Sequence, residues 1–169
     1  MIIHDIRKDS GSGLFFGKMY AALFDREIDV VLHGDGEDYL RYAEQCGEYF
    51  NHMPQELLSL LKKYSLRYCE DMRDYFDPEF PDVPEDVNVD TVLHYTRVNC
   101  LIIEQPKNSH IIGFGVEFNC DWEREHGMEW TIRDGRALYV GDFMGISPWY
   151  ADRVYETQCR SYVYEGFSL

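Results

Sequence analysis

The sequence predicts an α+β domain: an antiparallel sheet of about five to six strands with two or three helices packed on one face. Three observations lead there. Segments of period-2 apolar alternation lie toward both ends of the chain, two stretches of helical period lie between them, and an Asp-Gly pair joins two alternating segments. At 169 residues the chain fits one domain spanning 1–169. A chain of this length buries about 70% of the surface its unfolded form exposes, so folding needs no disulfide or metal.

Residues 1–13 end in Ser-Gly-Ser-Gly and read as a loosely ordered lead-in. Two strands follow in LFFGKMYAALFDREIDVVLHGDG, with Asp25-Arg26 as the turn. In the second, Ile28, Val30 and Leu32 alternate with Glu27, Asp29 and Val31, the pattern of a half-buried strand. Gly11, Gly13 and Gly17 do not form a phosphate loop, because they precede a strand and lack a following Gly-Lys-Ser/Thr. The period then changes. Leu40, Ala43, Gly47 and Phe50 predict a first helix, with Asp35 as its N-cap and Glu37 and Asp38 at the positive end of its dipole. Pro54 opens a second helix whose apolar stripe is Leu57, Leu58, Leu61, Tyr64, Tyr68 and Met72.

Glu70 to Asp90 is the most biased stretch, with nine acidic residues against one basic, Arg73, a net −8 of the total −15. Pro78, Pro81 and Pro84 end the helix after Phe76, so 77–90 reads as an acidic, proline-containing loop. No calcium-loop pattern occurs in it. VDTVLHYTR reads as a short helix before the strand VNCLIIEQ. Three more strands follow in HIIGFGVEFNCDW, GMEWTI and RALYVGDF, with Asp134-Gly135 as the last hairpin turn. The tail, 144–169, is Tyr-rich; SPWYADRVYETQ starts a short helix with Ser147 as N-cap and Pro148 in its first turn.

Charge narrows the function classes. Sixteen basic residues against thirty-one acidic ones repel phosphate backbones and anionic membranes, so neither nucleic acid nor a lipid surface is an expected partner. A basic protein would be attracted and its encounter accelerated. The five cysteines are odd in number and contain no C-x-x-C pair. The chain opens without the apolar core of a secretory signal, and no stretch approaches the ~20 apolar residues of a membrane helix. Reduced thiols in a cytoplasm are the expectation. Walker, H-E-x-x-H and G-x-S-x-G patterns are missing, and no cofactor is expected.

The densest cluster of reactive side chains is CDWEREHG, residues 120–127. In GVEFNCDWE, strand alternation puts Val116, Phe118, Cys120 and Trp122 on one face and Glu117, Asn119, Asp121 and Glu123 on the other. Cys120 between two aromatics is expected in the core, where a thiol behaves as a small hydrophobe. His126 before Gly127 is expected to stabilise the turn. The alternative is a site on the polar face, where Glu117, Asn119, Asp121, Glu123 and His126 are the candidate ligands of a hard cation.

The stretch FGVEFNCDWEREHGMEWTIRDGRALYVG resembles an uncharacterised bacterial family of small α+β domains, a domain of unknown function. Its hairpin reads aromatic-x-Cys-x-Trp-acidic-x-Glu-His-Gly, then a strand, a turn and Val-Gly. Phe118, Cys120, Trp122, Glu123, Glu125, His126, Gly127, Val140 and Gly141 carry the likeness, which covers about residues 14–142. Met128 and Glu129 depart from it, standing where a small aliphatic residue and a glycine are expected. Some similar small acidic bacterial proteins act as immunity proteins that neutralise toxins by binding them.

The resemblance and the charge together imply a bacterial, cytoplasmic, non-enzymatic protein-binding or immunity-like module. Its partner would be a basic protein such as a toxin, met by Asp77, Glu79, Asp82, Glu85, Asp86 and Asp90. The alternative is a metal-dependent or thiol enzyme using the polar strand face near His126. A third reading is homo-oligomerisation through the Tyr-rich tail.

Overall fold

Period-2 alternation becomes a seven-stranded sheet in the computed structural model of the chain, which describes residues 1–76 and 83–164. The strands are β1 (His4–Lys8), β2 (Phe15–Ala21), β3 (Arg26–Leu32), β4 (Thr96–Ile103), β5 (Gly113–Cys120), β6 (Glu123–Arg133) and β7 (Arg136–Gly141), in that spatial order. Two helices, α1 (Glu37–Asn51) and α2 (Gln55–Phe76), fill the interval between β3 and β4, and α3 (Asp152–Thr157) lies in the tail. The class is α+β, with more strands than the five to six expected.

The additional strand comes from the segment read as a loose lead-in. Glu44 of α1 accepts the backbone N–H groups of Ile2 and Ile3 at 2.7 and 3.1 Å, and Ile3 is buried. That anchorage lays β1 along β2 as an edge strand with all its side chains exposed. The sheet was expected to be antiparallel throughout, but β3 and β4 run parallel. The reason lies in the helices between them. At its start, the Tyr39 hydroxyl donates to Ile103 O and accepts from His33 N, beside the end of β3. At its end, the Asn51 amide bonds Ala22 N and Tyr20 O, beside the beginning of β3. α1 therefore returns the chain along the sheet, and α2 with the connection after it brings the chain to β4, which starts from the same end as β3.

Two helix starts differ from expectation. Gly36, with a φ of 88°, occupies the N-cap of α1, and Asp35 makes no capping bond. α3 begins after Ala151 rather than at Ser147, because the Ser147 hydroxyl is engaged with Glu104 at 2.6 Å and with Trp149 N at 3.1 Å. The Asp134-Gly135 turn is as expected, with φ of 54° and 68° and Arg133 paired to Arg136.

One face of the sheet carries the main core. Phe114, Val116 and Phe118 of β5 and Met128, Trp130 and Ile132 of β6 are fully buried there with Phe50, Leu61 and Tyr68 of the helices. Each such side chain contributes about 1.5–3 kcal/mol by leaving water. The Trp130 indole N–H donates to Ser65 Oγ, whose hydroxyl donates to Leu61 O, so these two polar groups at the centre of the layer are paired. The opposite face is crossed by the tail, where Leu138, Tyr139, Tyr155 and Cys159 form a second, smaller cluster. Among the described residues, no helix is long and apolar enough to cross a membrane.

Candidate functional site

The CDWEREHG stretch is a turn that has been made into an arch. β5 ends at Cys120, Asp121 and Trp122 turn the chain, and Glu123 pairs back with Cys120. The next ladder pair is Phe118 with Met128, so residues 124–127 span the place of Asn119 alone. Glu123 holds the arch: its carboxylate accepts Glu125 N at 2.9 Å and His126 N at 2.7 Å, and lies 2.9 Å from His126 Nδ1. Gly127 closes it with a φ of 72°, and a Cβ there would overlap Phe118 O. Tyr68 of α2 donates its hydroxyl to Gly127 O at 3.2 Å. His126 is 61% exposed and stabilises the turn, as the sequence led us to expect.

Beside the arch lies a groove of about 910 Å³, bounded by Asp121 to His126, by Tyr68 and Met72 of α2, and by Asp142 and Arg160 across it. Trp122 forms part of its wall. Only 3% of this residue is exposed, and its ring meets Tyr68 edge-on at 6.1 Å. Among the described residues, two buried side-chain polar atoms lack a partner, Trp122 Nε1 and Trp149 Nε1, and Trp122 is the one that lines this groove.

The five residues proposed for a polar-face site do not assemble. Asn119 donates to Asn99 Oδ1 at 2.9 Å, and Glu117 accepts the Cys100 thiol at 3.2 Å, both on the outer face of β4 and β5. Asp121, Glu123 and His126 leave that face because the strand stops at Cys120, and they line the groove instead. Among the described residues, no group of three or more His, Cys, Asp or Glu side chains is placed to hold a metal ion.

All five cysteines are free and buried, and Cys120 lies in the main core as expected. Burial pushes the Cys46 and Cys69 thiols up to about 11 and holds Cys100 and Cys120 higher still. Such thiols stay protonated, whereas a nucleophilic cysteine needs a lowered pKa.

Of the acidic-loop residues, Asp77, Glu79 and Asp82 lie outside the described residues. Glu85, Asp86 and Asp90 are exposed. Val83 and Val87 on either side of Glu85 and Asp86 are buried in the main core, and the Arg73 guanidinium donates to Pro84 O at 2.7 Å. The Arg73 contact holds Pro84, and with it the Glu85–Asp86 stretch, beside the end of α2, whereas Asp90 lines a separate recess with Lys62 and Phe24.

Sequence reasoning missed Glu129. It points to the outer face of β6, is 1% exposed, and accepts the N–H groups of Met144, Gly145 and Ile146 at 3.0, 2.8 and 2.8 Å. The Thr131 hydroxyl lies 3.2 Å from Oε1. Burial pushes this carboxyl up to about 7, against four hydrogen bonds that favour the anion. Gly145 adopts a φ of 68°, which lets three successive N–H groups converge on one carboxylate. Nothing local in the sequence ties position 129 to 144–146. No curated protein and no solved structure matches the chain. Residues 3–147 match the model of the family described as a domain of unknown function (DUF6985), and the chain belongs to that family.

Proposed function

We propose that the chain is a non-enzymatic protein-binding module whose groove beside the β5–β6 arch docks a segment of a basic partner. The observation that carries this reading is that Trp122, which lines the groove, has a buried indole N–H with no acceptor among the described residues. A buried donor left unpaired costs about 1–3 kcal/mol. A partner carbonyl delivered into the groove would recover that loss, and the aromatic wall of Trp122, Tyr68 and Tyr162 supplies the anchoring surface typical of interface hot spots.

Charge sets the partner class. Asp121, Glu123, Glu125 and Asp142 line the groove against Arg124 and Arg160, and the exposed Glu85, Asp86 and Asp90 add to the field of a chain of net charge −15. Such a field steers a basic protein and repels an acidic one. A toxin with a basic surface, met in a bacterial cytoplasm, is the partner that fits, and the module would then act as its immunity protein.

The experiment is stopped-flow association with a captured partner at low and high salt. Reversing the charges at Glu85, Asp86 and Asp90 should slow association severalfold at low salt, and high salt should erase the difference. Unchanged on-rates at low salt would sink the steering role. Trp122→Phe keeps the ring and removes the donor; it should weaken binding about tenfold, the equivalent of ~1.4 kcal/mol.

A further inference from the structure

We infer that a recess on the outer face of the sheet is the seat for one cationic side chain, a lysine or arginine of the partner; this rests on the protein-binding reading above and names its anchor. The recess measures about 280 Å³ and lies between the sheet and residues 143–148 of the tail. Its floor is Gly115, where an added Cβ would meet nothing nearer than 3.8 Å, so the glycine leaves space that packing does not require. Ile102, Ile146 and Pro148 give it apolar walls.

Three carboxylates border that space, Glu104, Glu117 and Glu129, against one imidazole, His33, and no lysine or arginine of the described residues lines it. Neutral groups hold all three. Glu117 accepts from the Cys100 thiol and the Asn99 amide, Glu104 from the Ser147 hydroxyl, and Glu129 from backbone N–H groups and Thr131. The strand register makes the crowding explicit, because Cys100, Glu117 and Glu129 are successive partners across β4, β5 and β6. Like charges opposite one another repel, and a cation between them relieves it. Residues 77–82 and 165–169, which are not described, contain no lysine or arginine, so those segments cannot supply the cation.

The chemistry selects the occupant. A bare divalent ion needs a shell of converging oxygens, and among the described residues no group of three or more such side chains is placed to hold one. An anion is repelled, and an uncharged ligand would leave the like charges of neighbouring Glu117 and Glu129 uncompensated. A lysine or arginine satisfies both halves of the recess, its methylene stem on the apolar walls and its charged head on Glu117 and Glu104. Glu129, already saturated with donors, adds its field from behind.

The test is a two-dimensional amide NMR titration of the full chain with n-butylguanidinium, and with N-butylurea as the uncharged control. Saturable shifts centred on Gly115, Cys100 and Ile146 are expected with the cation alone. Glu117→Gln should weaken them at least tenfold, and Gly115→Val, which fills the recess from an unstrained strand position, should abolish them. Equal binding of N-butylurea, or unaltered binding by Gly115→Val, would overturn the assignment. So would shifts that spread without saturating over exposed carboxylates. A dimer that n-butylguanidinium dissociates would overturn the foreign origin of the cation. Trp122→Phe separates this seat from the groove: probe binding should survive it, so a saturating probe with no protein partner would reject the docking reading and keep the seat.

Discussion

Glu129 and Trp130 are neighbours in β6, and they face two different layers. Trp130 enters an apolar layer where helices cover the sheet and its indole N–H finds Ser65. Glu129 enters a layer in which charged side chains fasten the tail by its backbone. Glu129 gathers N–H groups from 144–146, while Arg133 donates to Pro148 O and Tyr150 O at 2.8 Å each and pairs with Asp152, and Lys107 donates to Trp149 O. The helix side is held by area removed from water, which is insensitive to pH. The tail side is held by ionisable groups, so protons and counter-charges act on it. The recess lies on that second side.

The comparison can be broken at its two central residues. Trp130→Ala should cost about 3–5 kcal/mol in chemical denaturation, since it empties the centre of the apolar layer. The tail side should instead respond to pH. Because burial raises the folded Glu129 carboxyl from 4.5 to about 7, the folded state holds its proton where the unfolded state has released it. The stabilisation is full below pH 4.5 and is lost as pH rises through 7. The difference between the ends of that window is about 3 kcal/mol at most, read as wild type minus Glu129→Gln in denaturation curves from pH 4 to 8.

Glu129→Gln itself sharpens the contrast. The amide NH₂ would face backbone N–H donors, and we expect a loss of about 1–3 kcal/mol above pH 7. Local opening should concentrate in 143–152, seen as faster amide exchange there and unchanged exchange in α1 and α2. The smallest effect belongs to Gly115→Ala. With space for its Cβ and no positive φ, it should change stability by less than about 1 kcal/mol, in the stabilising direction.

The difference between the faces also explains what the sequence disclosed. Apolar periodicity reports burial against apolar partners, so α1, α2 and the buried alternation of β3, β5 and β6 were legible. The Asp134-Gly135 turn and the core position of Cys120 were legible for the same local reasons. β1 was not, because its side chains are all exposed and its order comes from Glu44 binding Ile2 and Ile3 some forty residues away. The parallel pairing of β3 with β4 depends on the path of the whole helical crossover between them, which no local period encodes. The arch kept Glu123, His126 and Gly127 in their turn-building roles, yet the five-residue polar face dissolved, since alternation stops where β5 stops. Glu129 looked like one more strand carboxylate; only the tail folding over it makes it a clasp.

The most direct test of the docking claim is a paired capture. Wild-type chain and a Trp122→Phe/Asp121→Lys variant, shown by circular dichroism to be folded, are immobilised and exposed to the same source lysate at low salt. The account predicts a basic protein retained by the wild type, depleted at least tenfold on the variant, and released from the wild type as salt rises. Equal retention on both surfaces, or retention that salt does not weaken, would contradict it.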